Sequence, residues 1–373
     1  MTGGHKYQRL DSLRGLAALS VGVGHAFLCV DFSQGSSLQT AALGLFDGDY
    51  AVDLFFVLSG FVLVNMVRGF SGAHYAAYLG RRLLRLYPLL WASLIVAYVT
   101  QALVVAHAPS CADLSYWICR LITPPSSMLA AVKTAIPVDF HLDPTSWTIK
   151  VEIAVSIVYP LLLAAWMKGG IAGKIATAAA CTAAIFVFSG HPLPHFVFLF
   201  LLGIAINDIR IANARMAGIM VGIGLALMAI SGFFVRAHSV PADLIAGTSA
   251  ALLIASVAYR CPSWLATLLD NRGVLKLGQI SYAYYLLNPI VLWLLARADA
   301  RSLSRLLVAG DDERAFLVAS LLAVCAGLAS VCLADAANRI IEKPSIAWSC
   351  AAEQGILRLL GNGLRPRAAP ASR

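Results

Sequence analysis

The chain has 373 residues, of which 60% are hydrophobic and only 13% charged, and its mean hydropathy is +0.78. These values exclude an ordinary soluble domain and put the chain among polytopic membrane proteins. The formal net charge of +9 is explained by Lys and Arg gathered on one side of successive spans, so it implies no nucleic-acid partner.

Apolar segments long enough to cross a hydrocarbon core of ~30 Å recur along the sequence. The first, Leu13–Val30, carries Arg14 and His25 eleven positions apart. That is about three helical turns, so both side chains project from one face of a helix otherwise built of Leu, Ala, Val and Phe. Ionisable groups in lipid cost about 2.5 kcal/mol or more and usually face a bundle interior, a water-filled cavity or a partner. Two readings are open here: a snorkelling Arg14 with a hydrogen-bonded packing His25, or a functional pair. No small-residue cleavage site follows, so this helix is expected to remain in the mature chain. The second segment, Val52–Val67, opens near Asp53, which is placed to cap the helix, to pair with Lys150 or to meet a bound molecule. The block Arg81-Arg82-Leu83-Leu84-Arg85 precedes the third segment, Leu89–Ala106, with Tyr87-Pro88 marking helix entry. It reads either as an inside-facing topology anchor or as a phosphate site, because Arg offers a planar, multidentate donor set.

The longest non-spanning stretch runs from about His107 to Lys150, is rich in Pro and contains Asp139, His141 and Asp143. Its length points to an ordered lid-like or re-entrant loop. Cys111 and Cys119 lie within it and could join if that face is oxidising. At its end Ser146 and Trp147 offer a hydroxyl and an aromatic surface, although Trp is also a usual interface anchor and no elbow motif surrounds Ser146. The fourth segment, Ile149–Trp166, opens with Glu152, an acid that the helix dipole alone would favour. Six more follow: Ile171–Phe188, His195–Ile206, Ala217–Val235, Leu244–Ala258, Tyr282–Leu295 and Ala315–Ala334. His191 and His195 flank a Pro-Leu-Pro turn and read as interfacial, and Tyr282 and Tyr285 read as sharing one helical face with Asn288 and Pro289, there either to line a cavity or to pack. The charged run Arg297–Arg314 reads as a solvated loop, and Glu342-Lys343-Pro344 as a structural end to the core.

These segments predict an all-α transmembrane bundle of about ten spans, with both termini on the cytoplasmic side, where most of the 28 Lys and Arg fall. The membrane domain is expected over 1–345 and a cytoplasmic tail over 346–373, its end having a disordered composition. Eight cysteines without a CxxC pair argue against a metal or redox site. The Ala-rich, Arg-over-Lys composition fits a bacterial inner membrane.

Six motifs in order resemble the acyltransferase-3 family of integral membrane acyltransferases, and the resemblance covers nearly the whole chain. LDSLRGLAALSVGVGHAF looks like its opening signature, DLFFVLSGFVL (Asp53–Leu63) its second-helix signature and RRLLRLYPLLW (Arg81–Trp91) its basic block. SWTIKVE (Ser146–Glu152), GQISYAYYLLNP (Gly278–Pro289) and EKP (Glu342–Pro344) complete the set. The resemblance implies transfer of an acyl group, acetyl from acetyl-CoA by default, to a hydroxyl of a glycan or lipid-linked saccharide, without a metal. His25 would be the base, with Glu152 and Asp53 as carboxylates on the acceptor side. Arg14, Arg81, Arg82 and Arg85 would meet the phosphates of the donor, and Ser146, Trp147, Tyr282, Tyr285 and Asn288 would line the substrate site. Many members carry His where this chain has Asn288, which can hydrogen-bond but cannot titrate near neutrality. The competing readings are a proton-coupled secondary transporter, with His25 and Glu152 as relay and Arg14 as an anion site, and a membrane scaffold without turnover.

Overall fold

The computed structural model describes residues 3–67, 69–105, 133–136, 142–188, 191–234, 239–298 and 311–360. Every long element among them is a helix, as hydrocarbon requires of a chain that must satisfy its backbone internally. In chain order these are α1 (Gly3–Leu28), α2 (Ser37–Leu45), α3 (Gly48–Leu63), α4 (Gly72–Val105), α5 (Trp147–Lys168), α6 (Gly170–Val187) and α7 (Leu193–Ile206). Then come α8 (Ala214–Phe234), α9 (Val240–Arg260), the short α10 (Ser263–Leu269), α11 (Arg272–Ala298), α12 (Asp312–Ala337) and α13 (Lys343–Leu360). Each of the ten expected apolar segments falls on one helix; most ends differ by a few residues, but α1, α4 and α11 begin 10, 17 and 10 residues earlier than expected. Among the described residues seven helices are long and apolar enough to cross a membrane, and α7 is a shorter apolar one. Cys111, Cys119, Asp139 and His141 lie outside the described residues, as do most of the run after Arg297 and the end of the tail.

Named contacts fix how the helices run. Gly15 of α1 lies against Gly278 of α11, and Gly22 against Asn288, so these two helices are parallel. In α3 and α7, Phe56 meets Phe196 while Gly60 meets Phe200, so they too are parallel. Lys276 pairs with Asp335, and Asn288 donates to Ser330 at 3.2 Å, so α12 runs antiparallel to α11. One end of the bundle gathers Arg9, Arg14, Arg85 and Lys276, and the other Asp47, Asp49, Asp53 and Asp243; we call them the basic and acidic ends.

Small residues let the helices approach, as is usual where lipid supplies no hydrophobic drive between them. At the α3–α7 crossing a Cβ on Gly203 would run into the carbonyl oxygen of Val57, and one on Gly60 into that of Phe200. Gly203→Ala is therefore expected to overpack this crossing and cost about 1–3 kcal/mol. The readout is the thermal unfolding midpoint in detergent, and an unchanged midpoint would contradict so close an approach.

Four features depart from the expectations. The basic block does not precede the third span: α4 is continuous from Gly72 through Pro88. Proline removes one hydrogen bond from a helix, and in the adjoining turn the Tyr282 hydroxyl donates to the Leu86 carbonyl at 2.8 Å. The end of the charged run, Asp311 to Arg314, is the start of α12, where Asp311 caps the Arg314 amide at 3.0 Å and Asp312 accepts from Ser33. Acids there suit the positive end of the helix dipole. The expected boundary at 345 falls inside α13, which packs along α4 and is tied to it by Arg81 and Glu353 at 2.7 Å. His195 is buried and paired with Asp243, not interfacial.

Candidate active site

Among the described residues a cavity lies toward each end of the bundle. The first, of about 280 Å³, opens among α1, α3, α4, α5, α11 and the turn after α12. Arg14 enters it from α1, Arg82 and Arg85 from α4, Glu152 from α5, Tyr282 and Gln279 from α11. Arg82 and Arg85 share a helical face because three residues turn about 300°. Arg82 is tied down on both sides: Nη2 donates to Glu152 at 2.6 Å and Nε to Ser156 at 3.2 Å. Ser59 of α3 donates to the same Glu152 oxygen at 3.1 Å. Arg14 stands 3.5 Å from Asp11. Arg85 makes no hydrogen bond or ion pair among the described residues, which leaves its guanidinium available to an anion in the cavity.

Glu342 also lines this cavity, and it corrects the reading of EKP as a mere end to the core. Residues Asn338–Glu342 form a π turn between α12 and α13. Such bulges widen the helix by one residue and recur at functional sites. Here the turn brings Asn338 to donate to Glu342 at 3.0 Å and to the Gln279 carbonyl at 2.9 Å. The glutamate is thereby held, buried, facing Arg14 and Arg85.

The second cavity, of about 580 Å³, lies toward the acidic end and holds His25, Asp47, Asp49, Asp53, Trp147 and Asp243. No Lys or Arg lines it among the described residues. Asp47 caps α3, its Oδ1 accepting from the amides of Asp49 at 2.9 Å and Tyr50 at 3.1 Å. Asp53 is thus a turn and a half inside the helix and not its cap. Its carboxylate, 8% exposed, has no hydrogen bond or ion pair among the described residues. Trp147 packs between Phe56, 6.3 Å away, and Phe196, 5.5 Å away, which fixes its ring in the wall. Val52 and Tyr285 line both cavities and form the partition between them. Tyr285 is steadied there by an edge-on contact with Phe55 at 5.7 Å.

The arrangement divides the residues singled out by sequence. His25, Asp53, Trp147 and Tyr285 come together at one cavity, and Arg14, Arg82, Arg85, Tyr282 and Tyr285 at the other. Glu152 was expected beside His25 and instead faces the arginines, because α5 begins at Trp147 and carries Glu152 more than a turn deeper. Arg81 reaches neither cavity: one residue from Arg82 is about 100° of helix, which turns it toward Glu353. Ser146 is fully buried and donates to the Asp143 carbonyl at 2.6 Å, so its hydroxyl serves the turn before α5. Asn288 is also outside both cavities, since two steps of three residues carry it about 120° round from Tyr282. Its amide instead donates to Ser330 at 3.2 Å and Tyr284 at 3.3 Å against Gly22 of α1. Asp11, Asp47, Asp49, Asp243, Gln279 and Glu342 are cavity residues that the sequence alone did not single out; only Asp11, Gln279 and Glu342, inside quoted motifs, carried a signal.

The model of the acyltransferase-3 family, described as an acyltransferase domain, matches residues 7–339. That range holds every residue lining either cavity except Glu342, Lys343 and Ile346. No curated protein and no solved structure matches the chain. With nearly the whole length matched and membrane-length apolar helices among its described residues, the chain belongs to the acyltransferase-3 family of membrane acyltransferases.

Proposed function

We propose that the chain is an O-acyltransferase that takes acetyl from acetyl-CoA at the basic end and passes it to a hydroxyl of a glycan or lipid-linked saccharide at the acidic end. The observation that carries this reading is the pair of cavities sharing Val52 and Tyr285 as their wall, one holding Arg85 without an ion pair and the other lined by four Asp and no Lys or Arg among the described residues. By the positive-inside rule the basic end is cytoplasmic, where coenzyme A thioesters are made, and both termini lie there. Composition favours a bacterial inner membrane, whose anionic lipid head groups suit the same end. Arg14 and His25 are separated by about 16 Å of helix, which suits an extended donor whose phosphates meet Arg14 and Arg85 while its thioester reaches the partition. Arg82 and Glu152 shape that donor cavity as a pair.

In the transfer, His25 takes the proton of the acceptor hydroxyl as its oxygen attacks the thioester carbon. Collapse of the tetrahedral intermediate breaks the carbon–sulfur bond, and the thiolate recovers the proton from the imidazolium. Direct transfer needs no covalent acyl-enzyme, and the burial of Ser146 in its turn agrees with that. A proton relay from His25 to Glu152 would have to cross the partition and displace Arg82 from Glu152, which favours acyl transfer over transport.

Coenzyme A binding tests the donor side. Arg85→Ala is expected to weaken it by about tenfold or more, the worth of a charge-assisted hydrogen bond to phosphate. Arg81→Met should leave it within about twofold, since its side chain turns away from both cavities to Glu353. A wild-type protein that neither binds coenzyme A nor releases it from acetyl-CoA would overturn the reading and favour transport.

A further inference from the structure

We infer that the acidic cavity recognises an acceptor carrying an ammonium group, an amino sugar, and that Asp53 is the specificity-determining contact for that group. This rests on the acyltransferase reading above and narrows its acceptor. Four carboxylates, those of Asp47, Asp49, Asp53 and Asp243, line a pocket that no Lys or Arg lines among the described residues. Three of them have work within the fold or at its edge: Asp47 caps α3, Asp243 is paired with His195, and Asp49 stands in the first turn of α3 at the favourable end of its dipole. Asp53 has none. It is buried in the wall without a hydrogen bond or ion pair among the described residues, and Asp243, Asp49 and Asp47 all repel a charge placed on it. A carboxylate left in this state is costly, and a cation that enters the pocket relieves it.

The charge is spread along the wall rather than gathered at one point. Among the described residues no three His, Cys, Asp or Glu side chains converge as a metal ion would need, so the distribution suits an organic cation with several donors. An ammonium held against carboxylates stays protonated. It therefore has no lone pair for attack, and the acyl group still goes to a hydroxyl of the same sugar, activated by His25. Trp147 and Tyr285 offer the apolar faces on which a sugar ring rests.

The test is calorimetric titration of the full chain in lipid nanodiscs, without acyl donor. The probes are methyl α-D-glucosaminide and methyl α-D-glucoside, which differ only in an ammonium or a hydroxyl at one ring carbon. The amino glycoside is expected to bind at least about tenfold more tightly, or about 1.4 kcal/mol, and Asp53→Asn to bring the two within about twofold. Coenzyme A binding at the opposite end checks that the variant is folded, and the wild-type ratio is informative without any variant. Equal affinities, tighter binding of the neutral glycoside, or binding of neither overturns the inference, and a ratio unchanged in Asp53→Asn overturns the part given to Asp53. Acetyl transfer with no charge preference would leave the acyltransferase reading standing and sink this one. Selective binding of the amino glycoside with no transfer to any acceptor would do the reverse.

Discussion

Replacing His25 with alanine is expected to slow acyl transfer by about 10²- to 10⁴-fold, the usual worth of a positioned general base, while coenzyme A binding stays close to that of the wild type. The separation follows from where the two functions lie. His25 lines only the acidic cavity, and the donor side is lined by Arg14, Arg82 and Arg85 beyond the partition of Val52 and Tyr285. Its loss should therefore fall on kcat, because the base acts as the hydroxyl attacks and contributes little to holding the donor. His25→Gln fills much of the same volume and keeps a hydrogen-bonding group, so it separates packing from proton transfer. Both variants should lose activity and keep their unfolding midpoints. Single-turnover transfer of labelled acetyl measures the effect, and activity within about tenfold of wild type in His25→Gln would remove the histidine from the base role.

What the sequence could reveal was what repeats or stands out locally. Apolar runs give the helices because each must exceed a fixed length to cross lipid. Arg14 and His25 are visible because charge is rare in such runs. Less legible was anything that depends on the angle between neighbouring side chains across helices. Arg81 and Arg82 look equivalent in a basic block, yet one turns to Glu353 and the other to Glu152. Pro88 looks like a helix start because proline usually is one, yet α4 runs on through it from Gly72, with Tyr282 of α11 bonded to the adjoining turn. The π turn at Asn338–Glu342 has no sequence signature of its own, and it is what swings Glu342 into the cavity. The partner of His195 lies 48 residues away in Asp243, too far for any local pattern to connect them. In each case the missing information is a pairing across the bundle.

The largest effect on stability is expected at Arg82. Its side chain is 6% exposed and that of Glu152 18% exposed, and their 2.6 Å contact joins α4 to α5 inside the basic cavity. Arg82→Met should cost about 3–5 kcal/mol, because Glu152 would keep its burial and its bond from Ser59 while losing the charge that balances it. Glu152→Met should be costly for the mirror reason, leaving Arg82 with only Ser156. The double replacement removes both buried charges, so it should be far closer to wild type than the sum of the two single losses. Unfolding in mixed detergent and dodecyl sulfate micelles measures all three. A cost under about 1 kcal/mol for Arg82→Met would mean the pair is as well solvated as a surface one and would undo the view of it as a buried wall. Arg85 supplies the internal control, being three residues away on the same face without such a partner. Arg85→Met should leave stability nearly unchanged and still weaken coenzyme A binding. If stability follows Arg82 and donor affinity follows Arg85, one arginine on this face holds the cavity open and the other is there for the anion that fills it.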